Sequence, residues 1–109
     1  MAKKIPKITV YMPNYNYSDY IEQAVNSIKK QVFKDWELII IDDGSTDDSL
    51  KILEKYSGDE KITVIKQKNQ GLNITNNVAI RLARGNYIVR VDADDYVDEN
   101  FLTVLSSVL

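Results

Sequence analysis

The amino-acid sequence predicts an α/β fold: a doubly wound, mostly parallel sheet with helices on both of its faces. Short apolar segments typical of strands alternate with segments whose apolar residues repeat at helical spacing. One strand segment, Leu38-Ile39-Ile40-Ile41, is apolar without a break, as expected for a parallel strand covered on both faces. With 109 residues, the chain has the length of one domain, which we assign to residues 1–109.

The first strand is predicted from Ile8 to Tyr11 and is expected to stop at Met12-Pro13. Asp19 followed by Glu22 fits the capping box that begins a helix. Five apolar residues then recur at helical spacing and predict one buried helix face, namely Ile21, Ala24, Val25, Ile28 and Val32.

The second strand is predicted from Trp36 to Ile41, and the polar stretch Asp42-Asp43-Gly44-Ser45 ends it. Asp47 or Ser45 can cap a second helix that runs to about residue 56. The residues expected to face inward from this helix are Leu50, Leu53 and Tyr56.

A third strand is predicted from Ile62 to Ile65, followed by a polar loop over 66–71 and a helix from Asn73 to Arg84. Gly85 is expected to end this helix as a left-handed C-cap. The apolar residues of the helix are Ile74, Val78, Ile80 and Leu82.

The fourth strand is predicted from Tyr87 to Val91, and a last helix is expected from about Asp98 to the end of the chain. Asp92-Ala93-Asp94-Asp95 separates them. Because the sequence stops within an apolar segment, we expect the natural protein to continue beyond Leu109.

The composition excludes several kinds of active site. The chain has neither cysteine nor histidine, which excludes zinc-thiolate sites and Ser-His-Asp or Cys-His hydrolases. Its net charge of −2 argues against a nucleic-acid binder, and no apolar run approaches the ~20 residues of a membrane span. The lack of cysteine suits the reducing cytoplasm, where we expect the protein to reside.

Polar residues follow every predicted strand, and the carboxyl ends of parallel strands are where α/β sheets bind ligands. Asp92 and Asp94 are two apart, so in an extended segment both side chains point the same way and suit a hard divalent cation. Such an isolated Asp-x-Asp is more often a turn that caps a helix. Tyr15 can stack on a planar ring, and the carboxylates of Asp42-Asp43 can accept hydrogen bonds. The convergence of these weak signals at one edge predicts a binding site there.

These residues also carry a family resemblance. The chain, from Ile8 to about Leu102, resembles the N-terminal half of the family 2 inverting glycosyltransferases, which have a GT-A fold with a Rossmann-like sheet. The matching segments are, in order, Pro13-Asn14-Tyr15-Asn16, Ile39-Ile40-Ile41-Asp42-Asp43-Gly44-Ser45-Thr46-Asp47, Asn69-Gln70-Gly71, Gly85-Asn86-Tyr87-Ile88 and Asp92-Ala93-Asp94-Asp95.

The resemblance implies a sugar donor activated by a nucleoside diphosphate, most often UDP, and a divalent metal, Mn²⁺ or Mg²⁺. By the family pattern, Asp42 hydrogen-bonds the base, Asp92 lies near the ribose or sugar and Asp94 binds the metal, with Asp92 as a second metal candidate. The full set of implied nucleotide-sugar-binding residues is Pro13, Tyr15, Asn16, Asp42, Asp43, Lys68, Asn69, Gly71, Asp92 and Ala93.

The chain departs from the family pattern in two respects. Thr75-Asn76-Asn77 stands where members often have Ala-Arg-Asn, so Asn76 replaces an arginine. The family's catalytic base is a carboxylate of the C-terminal half, which also binds the acceptor and is absent from this chain. The resemblance therefore implies the donor half of an enzyme of cell-surface glycan synthesis, acting on a glycan or lipid-linked sugar and showing little transfer alone.

Three alternatives stay open on the sequence alone. A response-regulator receiver domain also has acidic residues after its strands, although its acid pair should follow the first strand. A plain dinucleotide-binding domain needs Gly-x-Gly-x-x-Gly after the first strand, where this chain has Pro13-Asn14-Tyr15-Asn16. A donor-binding remnant without catalysis is the third. The sequence does not determine the sugar, the acceptor or the oligomeric state.

Overall fold

The structure, a computed structural model, describes residues 5–109. Four strands form one sheet: β1 (Ile8–Asn14), β2 (Trp36–Asp43), β3 (Ile62–Gln67) and β4 (Tyr87–Arg90). All neighbouring strands are parallel, and their order across the sheet is β3-β2-β1-β4. The predicted α/β class is confirmed. The 3-2-1-4 order is that of nucleotide-binding sheets and differs from the 2-1-3-4-5 order of receiver domains, so the receiver alternative is wrong.

The helices are α1 (Ile21–Lys29), α2 (Ser49–Leu53), α3 (Leu72–Leu82) and α4 (Phe101–Ser107), and a 3₁₀ turn (Glu54–Tyr56) follows α2. The helices α1, α2 and α4 bury residues in the larger core, on one face of the sheet, whereas α3 covers a smaller core on the other. The unbroken apolar run of β2 follows from this arrangement. Leu38 and Ile40 enter the larger core, and Ile39 and Ile41 enter the smaller one.

Strands β1, β2 and β3 run further toward the carboxyl edge than predicted. Pro13 does not stop β1, which continues to Asn14 with Pro13 opposite Ile41. Beyond Tyr11, no β4 residue pairs with β1, so the missing amide hydrogen of Pro13 interrupts no ladder on that side. The same lengthening carries the acidic pair of β2 and the first residues of the predicted polar loop, 66–67, into the sheet.

The predicted start of α1 is wrong. Tyr20 occupies the N-cap position without a side-chain capping bond, and Asp19 is not the cap. A backbone turn replaces it, because the amide of Ile21 donates to the carbonyl oxygen of Tyr17 at 2.8 Å. Val32 lies beyond the helix and is 57% exposed, so it does not extend the buried face.

At the start of α2, Asp48 is the N-cap residue and makes no capping bond. Of the two predicted caps, Asp47 does bond the helix start, since its Oδ1 accepts the amide hydrogen of Ser49 at 2.9 Å. Ser45 bonds Asp42 instead. Leu53 and Tyr56 are buried as expected, whereas Leu50 is only half-buried.

The apolar face predicted for α3 is also wrong. The helix buries Thr75 and Ala79, and of the predicted residues only Val78 is partly buried against the smaller core, while Ile74, Ile80 and Leu82 are each more than 40% exposed. Gly85 does not have a positive φ, and the residue that follows α3, Ala83, is extended. A Cβ at position 85 would lie 2.6 Å from the backbone nitrogen of Thr9, so this glycine permits a close approach to β1 rather than a left-handed turn.

Candidate functional site

A cavity of about 390 Å³ opens at the carboxyl edge of the sheet, where four segments meet, each consisting of the last residues of a strand and the residues that follow it. Seven of the predicted nucleotide-sugar or metal residues line it, and they come from all four segments. These residues are Pro13, Tyr15, Asp43, Asn69, Gly71, Asp92 and Asp94. The sheet therefore brings together residues that are up to 81 positions apart in the sequence (13 to 94).

Four predicted residues do not line the cavity. Asn16 and Lys68 are exposed outside it, whereas Asp42 and Ala93 are buried beneath the surface, with 1% and 0% exposure. Five further residues line the cavity without having been predicted as site residues: Asn14, Tyr17, Leu72, Thr75 and Arg90. The sequence could have revealed Arg90 as a cavity residue. It lies two residues before Asp92, and in an extended segment such a spacing predicts that both side chains point to the same side.

Asp42 connects the first and second of these segments. Its carboxylate accepts hydrogen bonds from Asn14 Nδ2 at 2.8 Å, from Ser45 Oγ at 2.7 Å and from the amide of Ser45 at 3.0 Å. Ser45 Oγ in turn accepts the amide hydrogen of Asn16 at 2.9 Å. The buried carboxylate thus fixes the backbone that carries Tyr15.

Asn16 completes this connection from the other side. Its φ of 60° is in the left-handed region, which asparagine tolerates better than most residues. Its Oδ1 accepts the amide hydrogens of Thr46 at 2.8 Å and Asp47 at 3.2 Å. The turn leaves Tyr15 47% exposed on the cavity wall, with its ring free to stack on a ligand.

Asp43 holds the third segment. Its Oδ1 accepts hydrogen bonds from Gln67 Nε2 and the amide of Gln70, both at 2.8 Å, and its Oδ2 accepts the amide hydrogen of Gly71 at 3.1 Å. Gly71, with a φ of 90°, begins α3. The two adjacent acids thus organise loops on opposite sides of β2.

The fourth segment carries a group of three carboxylates. Asp92, Asp94 and Asp95 offer oxygens within 4.8 Å of one another, and this is the one such group among residues 5–109. Clustered carboxylate oxygens, two of the three residues being exposed, fit a hard divalent cation that keeps part of its water shell. Arg90 Nε donates to Asp92 Oδ1 at 2.6 Å, and this carboxylate raises the pKa of Arg90.

Two other titratable groups lie close to the cavity. Burial raises the pKa of Tyr11, whose hydroxyl has no hydrogen-bond partner within the part of the chain that the structure describes. The partial burial of Asp47 would raise its pKa, but hydrogen bonds from Ser49 and Ser18 outweigh that effect and lower the pKa to about 2. Asp47 is therefore ionised at neutral pH and anchors the loop next to Tyr15 through the Ser18 amide.

A larger cavity, of about 590 Å³, lies between α1 and residues 96–99. Its lining comes mainly from the polar outer surface of α1 and includes none of the residues directly following β1, β2 or β3. Size alone favours this cavity as the ligand-binding site, whereas the chemistry of the lining residues favours the smaller cavity. Within residues 5–109, every helix falls short of the length and apolar character that a membrane crossing demands.

Comparisons with known proteins agree with this geometry. The family model described as "Glycosyl transferase family 2" matches residues 9–108. Chondroitin synthase of Escherichia coli is 44% identical over 97 residues, which are 88% of this chain and 14% of that protein. The "uncharacterized glycosyltransferase EpsJ" of Bacillus subtilis is 43% identical over 94 residues, 85% of this chain and 27% of its own length. The chain thus spans less than a third of either relative.

Two solved structures share the fold. Residues 1–349 of Staphylococcus aureus TarS, in complex with UDP-GlcNAc, match with a TM-score of 0.86 and 35% identity, over 93% of this chain and 30% of that one. The mannosyltransferase PcManGT of Pyrobaculum calidifontis, in complex with GDP-Man and Mn²⁺, matches with a TM-score of 0.81 and 25% identity, over 91% and 31%.

Proposed function

The chain belongs to glycosyl transferase family 2, and from that membership we propose that it is the donor-binding part of an enzyme that transfers a sugar from a nucleoside-diphosphate sugar to an acceptor hydroxyl. The observation that carries the proposal is the 390 Å³ cavity, which combines an aromatic ring, fixed polar loops and clustered carboxylates. These are the groups that a base, a ribose and a metal-bound diphosphate require. The donor-binding domain is proposed to cover residues 1–109.

We assign the nucleoside to the side of the cavity formed by the first three loops. Tyr15 is exposed and held in place, so it can stack on the base. Asp43, Asn69 and Gly71 line the same cavity and can shape the loop beside the nucleotide. We assign the base-facing carboxylate to Asp43 rather than to Asp42, because Asp43 lines the cavity, whereas Asp42 is 1% exposed and does not line it.

We propose UDP as the nucleotide carrier. TarS, which is 35% identical over the matched region, is described with UDP-GlcNAc and with UDP, and this supports a uridine donor over the guanosine donor of the less similar PcManGT. The identity of the sugar stays open.

The three clustered carboxylates, Asp92, Asp94 and Asp95, are proposed to form the site for Mn²⁺ or Mg²⁺, with Asp94 as a metal ligand. When bound, the cation supplies positive charge that stabilises a departing diphosphate. The chain's own groups would orient the donor so that the acceptor oxygen attacks the anomeric carbon from the opposite side and inverts it. The carboxylate that deprotonates the acceptor, a glycan or lipid-linked sugar, is proposed to lie outside this chain. A role in cell-surface polysaccharide synthesis and a cytoplasmic location remain predictions.

Calorimetric titration of UDP into the chain, with Mn²⁺ and then with excess chelator, tests the proposal. We expect binding that needs the metal and that Asp94→Ala removes. Asp48→Ala, which removes an exposed carboxylate that makes no capping bond at α2, is the matched control and should bind like the wild type. A folded wild-type chain that binds neither UDP nor GDP with Mn²⁺ would contradict the proposal.

A further inference from the structure

We propose that Arg90 is a positioning residue of the donor site. Its guanidinium holds Asp92 out of the metal's ligand set and keeps that carboxylate as a hydrogen-bond acceptor for a donor hydroxyl, while Asp94 and Asp95 hold the cation. This inference rests on the proposed function and adds a residue to it.

The contact between Arg90 and Asp92 is specific in its geometry. Arg90 is the last residue of β4, Asp92 follows two residues later, and the hydrogen bond between them shows that both side chains lie on the same side of the chain. Arg90 Nε lies 2.6 Å from Asp92 Oδ1, and both residues line the donor cavity. Asp92 Oδ1 is therefore engaged, whereas Asp92 Oδ2 accepts no hydrogen bond from a side chain of the described residues.

The neighbour of Arg90 across the sheet favours this orientation. In the parallel register, Arg90 lies opposite Tyr11, so the two side chains share a face of the sheet. The Tyr11 side chain is 95% buried (5% exposed) and occupies the space on the β1 side. Arg90 extends past this ring to the cavity, where its guanidinium meets Asp92.

The charges of these residues are consistent with the proposal that Asp94 and Asp95 hold the cation while Asp92 accepts a hydrogen bond from the donor. The carboxylates of Asp92, Asp94 and Asp95 together with the Arg90 guanidinium carry a charge of −2 (−3 and +1), without Asp43 at the other side of the cavity, and one divalent cation neutralises that group. Among the described residues 5–109 that line this cavity, Arg90 is the only lysine or arginine. Without it the local charge would be −3, and all three carboxylates would compete for the cation.

The test uses Arg90→Gln and Arg90→Lys, with Arg81→Gln as the control because Arg81 lies on α3 outside the cavity. The first measurement is the affinity for Mn²⁺ alone, by electron paramagnetic resonance. Loss of the half-exposed charge should tighten Mn²⁺ binding by up to about fivefold in Arg90→Gln. Arg90→Lys and Arg81→Gln, which keep the charge of the site, should bind Mn²⁺ like the wild type.

The second measurement compares UDP with its 2′-deoxy and 3′-deoxy analogues in the presence of Mn²⁺. A carboxylate held for a ribose hydroxyl should give the wild type at least an about tenfold preference for UDP over one analogue. We expect Arg90→Gln to lose most of that preference, a change that a purely structural role would not produce.

The outcomes separate this inference from the proposed function. If the wild type binds UDP with Mn²⁺ but Arg90→Gln matches it in both Mn²⁺ affinity and hydroxyl preference, the role of Arg90 is contradicted and the donor site stands. If the wild type binds neither ligand, both are contradicted. Circular dichroism confirms that each variant is folded before either result is interpreted.

Discussion

Asp42 and Asp43 are adjacent in the chain, yet their carboxylates act on different loops. Successive side chains of a strand point to opposite faces, and here Asp42 bonds the end of β1 whereas Asp43 bonds the segment after β3. Each carboxylate accepts three hydrogen bonds. An acidic pair at the end of a central strand can therefore fix two walls of one cavity at once.

The side chain of Asn16 is expected to matter for ligand binding although it does not line the cavity. Asn16→Ala loses two hydrogen bonds to backbone amides and places a less tolerant residue at a φ of 60°. We expect the free energy of unfolding to fall by about 1–2 kcal/mol. UDP affinity should fall with it, because Tyr15 is no longer held. Thermal denaturation and calorimetry measure the two effects.

Asn16→Gly separates the two causes, since glycine accepts the positive φ but makes no side-chain bonds. It should be less destabilised than Asn16→Ala and still bind UDP more weakly than the wild type. Wild-type UDP affinity in both variants would show that the position of Tyr15 does not depend on the side-chain hydrogen bonds of Asn16.

At the scale of secondary-structure elements, α3 shows how sequence patterns can mislead. Four larger apolar residues suggested a buried face, but only Val78 of them packs against the core, and the residues that the helix buries are Thr75 and Ala79. Small residues allow the helix to approach closely, and Thr75 Oγ1 also accepts from Gln67 Nε2 at 2.9 Å. Close packing by small or polar residues leaves no hydrophobic period to read, so the sequence could not have revealed it.

The close approach of Gly85 to β1 leads to a prediction that compares two glycine variants. Gly85→Ala would place a Cβ 2.6 Å from the backbone nitrogen of Thr9, whereas Gly58→Ala meets nothing within 4 Å. We expect Gly85→Ala to lower the free energy of unfolding by about 1–3 kcal/mol and Gly58→Ala to leave it nearly unchanged. Urea denaturation of both variants provides the comparison. Equal stability of the two would contradict the close approach.

Glu37 ties the segment after α3 to the sheet. Its carboxylate accepts from Thr9 Oγ1 at 2.6 Å and from the amide of Arg84 at 2.7 Å, and it pairs with the Arg84 guanidinium at 3.0 Å. Burial alone would raise the pKa of Glu37, but these hydrogen bonds outweigh it and lower the pKa below its usual value. The ionised carboxylate therefore stabilises the folded state.

Glu37→Gln should lower the free energy of unfolding by about 2 kcal/mol at pH 7. Because the folded pKa is lowered, the contribution of the carboxylate is present above about pH 4.5 and is lost as the pH falls through the folded pKa. The difference between wild type and variant should therefore shrink below pH 4.5. Glu54→Gln, at an exposed position, is the control. A difference that stays constant from pH 7 to pH 3 would contradict this assignment.

At the scale of the whole molecule, the sequence predicted the sheet, the edge at which the cavity opens and seven of the twelve residues that line it. Alternating strands and helices predict a doubly wound sheet. That topology brings the segments that carry Tyr15, Asp43, Gly71 and Asp92 together at one edge. Side-chain roles were less predictable. Asp42 and Asn16 are sequence neighbours of cavity residues, but their side chains form long-range hydrogen bonds that support the loops, and these side chains do not line the cavity.

Paramagnetic broadening by Mn²⁺ in the presence of UDP, followed in the amide spectrum of the chain, tests the central claim most directly. The account predicts broadening centred on residues 92–95 that extends to Tyr15 and Gly71 and spares Asn26, which lines the larger cavity beside α1. Broadening centred on Asn26 and the polar surface of α1, with residues 92–95 unaffected, would contradict it.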